Sequence, residues 1–318
     1  MPEKKIIIDD KNKNLRIDSV CAKMFPKISR TMWQKHGVFF CDGQKKNYKT
    51  LTKKNQKWII DYKCNEQENN LNDAKPWNFS LDILAETDNY LVINKLYGIS
   101  VHNSATEKTD HTIVNALIYY FQNQKEKNNL SHAYDIIDNQ KIYRPGIVHR
   151  LDKTTSGVLL IAKNDQTHFF LQKNWDKTEK IYYAVVTGTP PKKGKILGPI
   201  KRDLKNRKKM MISADQDAKK SETIFETIKT NKKFSLLKIQ PLTGRTHQIR
   251  VHLSSIGCPI LGDKLYGGEN AEKIFLHAYS LKFPQLDEKN NIIFKTVLAK
   301  LPENFHNLQI KNCYNYSK

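Results

Sequence analysis

Residues 149–157 read His-Arg-Leu-Asp-Lys-Thr-Thr-Ser-Gly. They stand between two short apolar segments, residues 147–148 and 158–162, and this pattern predicts a polar loop between two buried strands. Loops held by a rigid scaffold often carry function, and this loop contains the carboxylate of Asp152. The alternative is a plain turn, in which Asp152 caps the main chain and Ser156 and Gly157 reverse it.

A second polar cluster, residues 243–252, reads Thr-Gly-Arg-Thr-His-Gln-Ile-Arg-Val-His. The spacing predicts a helix over 246–256 that ends at Gly257. On that helix Ile249, Leu253 and Ile256 form a buried stripe, whereas His247, Arg250 and Ser254 share a polar face. Such a face presents a guanidinium to a carboxylate or phosphate, or belongs to an ordinary surface helix with a salt bridge.

The segments around these clusters indicate the fold class. Two apolar runs flank a turn at 86–89 and predict a hairpin, and apolar spacing over 113–121 predicts an amphipathic helix. Residues 181–186 and 234–242 are predicted strands, with Tyr182 and Tyr183 on opposite faces of the first. The polar stretch 122–142 is predicted to be a surface loop. Strands outnumber helices and are linked by hairpins, which indicates an α+β fold with a central mixed, largely antiparallel sheet and flanking helices.

Charge is unevenly distributed along the 318 residues. Lys and Arg outnumber Asp and Glu by 54 to 32, a net charge of +22, and this excess suits a polyanion such as nucleic acid. Residues 1–63 contain sixteen Lys or Arg and six Asp or Glu, a net of +10. We therefore predict a small basic domain at 1–63, a polar linker at 64–78 and a large domain at 79–318.

The basic segment has its own pattern of short elements. Apolar residues from Ile17 onward predict a helix that ends at Pro26, and Ser29 is a natural cap for a second helix from Arg30. A strand over 38–41 then leads into an Asp42-Gly43 turn. This composition fits a compact RNA-binding unit and equally fits a small domain with a solvated surface.

Several other classes of protein are disfavoured. The five cysteines are scattered without a CxxC pair, which argues for a reducing, cytoplasmic setting and against a disulfide framework. No apolar run approaches the roughly 18 residues of a membrane span. Residues 188–195 miss the phosphate-loop spacing, and Ser156 lacks the glycines of a hydrolase elbow. His247 and His252 are five apart, so one helix face does not hold both on a metal.

Residues 149–157 resemble the signature of the RluA-type pseudouridine synthases, which isomerise uridine in RNA. Four further segments resemble that family in the same order and spacing: Leu91-Val92-Ile93-Asn94-Lys95-x-x-Gly98-x-x-Val101-His102, Lys180-x-Tyr182-x-Ala184, the run 244–252 with Gly262-Asp263-x-x-Tyr266-Gly267, and Leu276-His277-Ala278. The N-terminal segments Leu15-Arg16-Ile17-Asp18 and Phe25-Pro26-x-x-Ser29-Arg30 are similar to the S4 RNA-binding domain, although its usual Gly-Asp ending is replaced by Asn55-Gln56-Lys57.

The resemblance implies a set of roles. Asp152 is the essential carboxylate, which attacks C1′, attacks the base or removes a ribose proton. Arg250 pairs with it, Tyr182 stacks on the base and helps to move the C5 proton, and Arg150 fills the gap left by the flipped nucleotide. The residues predicted to bind RNA are Arg150, His149, Arg245, His247 and Gln248 in the large domain, with Arg16, Ser29 and Arg30 in the small one.

The resemblance also implies the cofactor requirement, oligomeric state and substrate of the protein. The reaction is redox-neutral, so the expectation is an isomerase without cofactor or metal that acts as a monomer in the cytoplasm, without a membrane. The S4-like segment favours large-subunit ribosomal RNA as the substrate. Two alternatives stay open: a transfer-RNA pseudouridine synthase, and a ribosome assembly factor that binds RNA without catalysis.

Overall fold

The computed structural model describes residues 4–25, 30–62, 75–103, 109–123, 134–137, 140–143 and 146–305. The chain divides into two compact units. One unit comprises Met1–Asp73 with Asp135–Tyr143, and the other comprises Ala74–Tyr134 with Arg144–Lys318. Among the described residues no helix is long and apolar enough to cross a membrane.

The helices and strands follow in chain order. The first part holds β1 (Lys4–Ile7), α1 (Ile17–Met24), α2 (Arg30–His36), β2 (Gly37–Cys41), β3 (Gln44–Lys46), β4 (Lys57–Tyr62), β5 (Ile83–Glu86), β6 (Tyr90–Lys95), α3 (Ile113–Asn123), β7 (Tyr134–Ile137) and β8 (Gln140–Tyr143). The rest holds β9 (Ser156–Ala162), α4 (Asp165–Lys173), β10 (Glu179–Thr187), β11 (Lys193–Leu197), β12 (Ile200–Arg202), β13 (Met210–Ile212), β14 (Glu222–Thr230), β15 (Phe234–Pro241), α5 (Gln248–Ser255), β16 (Leu276–Leu286) and β17 (Ile292–Leu298).

The N-terminal unit contains an antiparallel sheet in the order β1-β4-β2-β3 with α1 and α2. Ile17, Val20 and Cys21 of α1 are buried in its core, as their spacing predicts, together with Trp33 and Trp58. The predicted turn at residues 42–43 joins β2 to β3, and both residues have positive φ, as a two-residue hairpin of this type requires. Ser29 and Pro26 lie outside the described residues.

The larger unit is built on one nine-stranded sheet. Its order is β11-β14-β15-β10-β16-β9-β6-β5, and β17 pairs with β16. Every pairing is antiparallel except that between β9 and β16. The predicted mixed, largely antiparallel sheet is therefore confirmed. Helix α3 buries Ile113 and Leu117 against Ile93 of β6 and Leu159 of β9.

The parallel pairing of β9 with β16 is short and depends on a glycine. Only two residue pairs form it, His277 with Ser156 and Ala278 with Gly157. Gly157 has φ +111°, and a Cβ atom there would lie 2.2 Å from the carbonyl oxygen of Ala278. No other residue type fits this backbone at this distance. Strand β9 begins four residues after Asp152, so the glycine fixes the end of the Asp152 loop against β16.

The predicted strand at 147–148 and the predicted loop at 122–142 are wrong. Residues 147–148 do not form a strand: Ile147 makes a single bridge with Ile161 and is only half-buried. The stretch 122–142, predicted to be a surface loop, contains β7 and most of β8, which pair with each other. In the sequence, the apolar pairs at 136–137 and 142–143 flank an Asp-Asn dipeptide, residue types common in hairpin turns, but the polar composition of the stretch obscures this signal.

Candidate active site

Hydrogen bonds to its main-chain atoms hold the loop that carries Asp152. The amide of Thr155 donates to the carbonyl oxygen of Asp152 at 3.0 Å, and the amide of Gly98 donates to that of Lys153 at 2.9 Å. The ammonium of Lys95, at the end of β6, donates to the carbonyls of Leu96 and Ile99 at 2.9 Å each and to that of Lys153 at 3.4 Å. The loop that places Asp152 is therefore held by hydrogen bonds to residues outside it.

Lys95 is a fully buried cation beside this carboxylate. Burial lowers its pKa to about 7, although attraction to Asp152 acts in the opposite direction. An ammonium donates three hydrogen bonds, and the three carbonyls around Lys95 provide that number of acceptors. Lys95 belongs to the segment Leu91–His102 that resembles a family block, but the sequence alone predicts no role for it.

Asp152 opens into a cavity of about 290 Å³. This volume is near the lower limit of roughly 300 Å³ for small-molecule pockets, so it suits one nucleoside rather than a folded polymer. The wall brings together eight of the predicted site residues: His149, Arg150, Asp152, Tyr182, Arg245, His247, Gln248 and Arg250. Lys180 and Trp175 also line it.

Arg250 lies on α5, but the predicted polar face is wrong. Arg250 is buried, and its Nε and Nη2 atoms donate to Asp263 at 2.7 and 2.8 Å. Its Nη1 atom lies 3.5 Å from Oδ2 of Asp152. Burial alone lowers the pKa of Arg250, but Asp263 and Asp152 outweigh burial and raise it. Ile256, predicted to be buried, is instead 38% exposed, because the helix ends at Ser255.

His247 precedes α5 instead of belonging to it, with a left-handed φ of 55°. Its Nε2 atom lies 3.8 Å from Oδ2 of Asp152. Its Nδ1 atom lies 2.8 Å from the hydroxyl of Tyr266, and that hydroxyl accepts a hydrogen bond from the amide of Met210 at 2.8 Å. Burial lowers the pKa of His247, and the charge of Arg250 acts in the same direction.

Tyr182 and Tyr183 lie on opposite faces of β10, as predicted. Tyr182 lines the cavity, whereas Tyr183 packs edge-on against Tyr279 with ring centroids 5.0 Å apart. Burial, and then the negative charge of Asp152, raise the pKa of Tyr182. Its hydroxyl therefore stays protonated at neutral pH and is available as a hydrogen-bond donor in the cavity.

His149 and Arg150 differ in their surroundings. The ring of His149 stacks on Trp175, and its Nε2 atom accepts a hydrogen bond from the amide of Leu160 at 2.9 Å. Burial lowers the pKa of His149 to about 3, so it is neutral. These contacts favour a role in holding the loop. Arg150 is exposed at the cavity, with Nη1 3.2 Å from Nε2 of His102, and is well placed for a polyanion.

Gln248 is buried, whereas Arg245 is exposed at the surface. The amide group of Gln248 is buried and bonds to Thr243, to Thr223, and to the main chain of Arg245 and Glu222. Its contacts favour a structural role, and its predicted RNA contact stays a prediction. Arg245 is exposed, and its Nε atom donates to the carbonyl of Lys220 at 3.2 Å.

In the N-terminal unit, Arg16 and Arg30 converge on one buried carboxylate. Asp18 is fully buried and accepts hydrogen bonds from Arg16 at 2.8 and 3.2 Å, from Arg30 at 3.1 Å and from Gln34 at 2.6 Å. Arg16 and Arg30 remain partly exposed, so each keeps donors at the surface while Asp18 orients it. The third predicted residue, Ser29, lies outside the described residues.

The sequence also predicts no role for Asp263, which holds Arg250, or for Tyr266, which contacts His247. Their signal was present, because both occur in the segment Gly262-Asp263-x-x-Tyr266-Gly267 that resembled a family block. Within the described ranges, no three His, Cys, Asp or Glu side chains are grouped closely enough to hold a metal ion. The chemistry available to the described site is that of a carboxylate, a phenol, an imidazole and guanidinium groups.

A carboxylate beside a buried guanidinium, in a nucleoside-sized cavity with cations at its edge, is typical of an enzyme that acts on a polyanion. Comparison with known proteins agrees. Residues 89–255 match the family model for RNA pseudouridylate synthase. A protein of Borreliella burgdorferi named ribosomal large subunit pseudouridine synthase D is 34% identical over 307 residues, which cover 93% of this chain and 89% of that protein.

Two further comparisons are consistent with this match. An RNA pseudouridine synthase of Aquifex aeolicus is 35% identical over 79% of this chain and 77% of that protein. The solved structure of human RNA pseudouridylate synthase domain containing 4 has a TM-score of 0.53 and 26% identity, covering 70% of this chain and 90% of that one. The chain belongs to the RNA pseudouridylate synthase family.

Proposed function

We propose that this protein isomerises uridine to pseudouridine in large-subunit ribosomal RNA. The observation that carries the proposal is the position of Asp152, which faces a nucleoside-sized cavity with Arg250 at 3.5 Å and Tyr182 in the same wall. Family membership supplies the reaction, and several relatives named for the large ribosomal subunit supply the substrate.

In the proposed mechanism, Asp152 is the essential carboxylate for breaking the N1–C1′ bond of uridine. Arg250 places a positive charge 3.5 Å from this carboxylate, since a guanidinium remains charged at any physiological pH. Tyr182 stacks on the uracil ring, and its protonated hydroxyl donates a hydrogen bond to the base or takes part in moving the C5 proton. The base then rejoins the ribose through C5.

A uridine reaches Asp152 only after it leaves the RNA stack, because the cavity accepts a single nucleoside. Arg150 is exposed beside Asp152, where its side chain occupies the space left by the flipped nucleotide. Extrusion of a nucleotide costs a few kcal/mol, and a side chain that fills the gap offsets part of that cost. The half-buried Lys180 also lines the cavity, where its ammonium is a further candidate contact for the RNA.

The N-terminal unit is proposed to be an S4-like RNA-binding domain that anchors the substrate. Its support is the net charge of +10 in residues 1–63 and the exposed parts of Arg16 and Arg30 around Asp18. We propose that the enzyme acts as a monomer in the cytoplasm, where ribosomal RNA is assembled. No cofactor is part of the proposed reaction.

The test is a map of pseudouridines in total RNA from cells with and without the gene. We expect at least one uridine of large-subunit ribosomal RNA to lose its modification in the deletion strain. Wild-type protein should restore it, and Asp152→Asn should not. Loss confined to transfer RNA would contradict the substrate, and an unchanged map together with no activity of purified protein on ribosomal RNA would contradict the function.

A further inference from the structure

We infer that the hydroxyl of Tyr266 holds neutral His247 with its proton on Nε2, and that this N–H and Arg250 face one oxygen of Asp152, which leaves the other oxygen to react. The inference deepens the proposed function and rests on it for the reacting oxygen. His247 and Tyr266 are then positioning residues, which act through Asp152.

The location of the hydrogens follows from the donors and acceptors around Tyr266. The amide of Met210 donates to the hydroxyl oxygen at 2.8 Å, so that oxygen is already an acceptor. A phenol also has one O–H to donate, and Nδ1 of His247 is 2.8 Å away. Donation from Tyr266 to Nδ1 satisfies both groups. The reverse arrangement, with the proton on Nδ1, leaves the tyrosine O–H without an acceptor among the described contacts.

An imidazole that accepts at Nδ1 carries its single proton on Nε2. His247 is neutral in this environment because burial and the nearby charges of Arg250 and Arg150 oppose a second proton, against the attraction of Asp152 and Asp263. The Nε2 proton therefore sits on the side of the ring that faces Asp152, 3.8 Å from Oδ2.

Two donors consequently approach the same atom of Asp152. Nη1 of Arg250 is 3.5 Å from Oδ2, and Nε2 of His247 is 3.8 Å from it. Both distances exceed those of hydrogen bonds, so the two groups act as oriented charge and dipole in the free enzyme. They stabilise negative charge on Oδ2 and set the rotation of the carboxylate. Because both donors are closest to Oδ2, we assign the reaction with substrate to the other oxygen, Oδ1.

Met210 makes this arrangement depend on a neighbouring strand. It is the first residue of β13, opposite Arg202 of β12, and its amide donates to the hydroxyl of Tyr266. The main-chain amide of Met210 thereby determines the direction in which the Tyr266 O–H points. The ring of Tyr266 lies beneath Arg250, with the guanidinium carbon 5.0 Å from its centroid, so the same side chain touches both groups that face Oδ2.

The direct test is the ¹⁵N NMR spectrum of the histidine rings in the full-length protein, with the His247 signals assigned by their loss in His247→Gln. Protonated and unprotonated ring nitrogens have well-separated shifts. We expect Nδ1 unprotonated and Nε2 protonated in the wild type, and a mixture of tautomers in Tyr266→Phe. The control Tyr183→Phe, on the opposite face of the sheet, should leave the spectrum unchanged. A proton on Nδ1 in the wild type would overturn the inference.

Kinetics on substrate RNA supply the second readout. Tyr266→Phe keeps the ring beneath Arg250 and removes only the hydroxyl, so kcat should fall roughly tenfold with KM nearly constant. His247→Gln, whose amide reaches the Nε2 position, should retain more kcat than His247→Asn, whose amide does not. Equal kcat for the wild type and Tyr266→Phe, at equal melting temperature, would show that the tautomer does not serve Asp152.

The two experiments separate this inference from the proposed function. The tautomer of His247 is measured without substrate, so this experiment tests the inference even if the wild type modifies no RNA. An active wild type with the proton on Nδ1 would contradict the inference and leave the function intact. An inactive wild type with the proton on Nε2 would contradict the function and the assignment of the reacting oxygen together.

Discussion

Arg250 gives two of its three guanidinium nitrogens to Asp263, at 2.7 and 2.8 Å, and only Nη1 remains for Asp152. Asp263 is fully buried, so the guanidinium is held by a partner that never meets substrate. A bidentate pair of this kind fixes the plane of the guanidinium as well as its position. Arg250 therefore faces two carboxylates, and Lys95 and His247 are further groups that interact with Asp152.

Replacing Asp152 by Asn should reduce pseudouridine formation by at least roughly a thousand-fold, because an amide is neither a nucleophile nor a base. Affinity for RNA should stay within about fivefold, since the amide preserves the shape and hydrogen bonds of the loop. Tritium release from RNA labelled at uridine C5 measures the reaction. Asp88→Asn, in the exposed β5–β6 turn, is the matched control, and near-normal release by the Asp152 variant would refute its role.

Arg250→Met should lose most activity and also destabilise the fold, because it leaves Asp263 buried without a partner. Breaking a buried ion pair from one side typically costs about 3–5 kcal/mol of unfolding free energy. Arg250→Met combined with Asp263→Asn should recover a large part of this stability while remaining inactive. Urea unfolding and tritium release on the same preparations separate the two effects. Full stability of the single variant would contradict the buried-pair interpretation.

Asp18→Asn should destabilise the N-terminal unit in a pH-dependent way. Burial raises the pKa of Asp18, but hydrogen bonds from Gln34, Arg30 and Arg16 together outweigh burial and lower it. A carboxyl whose folded pKa is below its unfolded value contributes stability above the unfolded value of about 3.9, and this stability is lost as pH falls through the folded pKa.

The variant should therefore lose about 1–3 kcal/mol of unfolding free energy at pH 7, and the difference from the wild type should be smaller at a pH below the unfolded pKa of about 3.9. Fluorescence of Trp33 and Trp58, both buried in this unit, follows its unfolding. The control Asp10→Asn removes an exposed carboxylate that pairs only with exposed lysines and should change little. A difference that is the same at both pH values would exclude the ionised network as its cause.

Neutralising the lysines Lys23, Lys45 and Lys49 to Gln should weaken RNA binding and flatten its salt dependence. All three are exposed, and none forms an ion pair with a described residue. Each phosphate contact contributes roughly 0.7 to 0.9 to the slope of log K against log salt, so the slope should fall by up to about 2–3. The control changes Lys289, Lys295 and Lys300 of the larger unit. Equal slopes for both triple variants would argue against an RNA anchor in the N-terminal unit.

The sequence predicted elements whose periodicity is strong and local. The hairpin of β5 and β6, helix α3 and the opposite faces of Tyr182 and Tyr183 are all confirmed, because one-sided burial imposes a period that can be seen in the residues themselves. The same logic misplaced Arg250. Helical spacing assigns charged residues to a solvated face, but Arg250 is buried because Asp263, thirteen residues away, compensates its charge.

His247 shows a different limit. Residues 246–256 have continuous helical spacing, yet the helix begins only at Gln248, after a residue with positive φ. Positive φ is uncommon for residues other than glycine, so helical spacing does not predict it, nor does it predict the contact of His247 with Tyr266. Long-range pairs such as Arg250 with Asp263 and His247 with Tyr266 leave no periodic trace in a single sequence. The sequence therefore predicted which residues line the cavity, but it did not predict which residues hold them in place.

The active site lies where two halves of the large sheet meet, at the short parallel pairing of β9 with β16 beside Gly157. Asp152 precedes β9 and belongs to the half with β6 and β5, whereas Tyr182 and Arg250 belong to the half that contains β10 and β15. The two halves share only two residue pairs of parallel ladder, so side-chain packing, including Leu281 and Phe283 against Tyr90 and Val92, does most of the joining. Apolar contact weakens on cooling and under pressure, whereas each half keeps its own ladders. The position of Asp152 relative to Tyr182 and Arg250 therefore depends more on apolar packing than on main-chain hydrogen bonds, and we expect activity to fall in the cold or under pressure before secondary structure is lost.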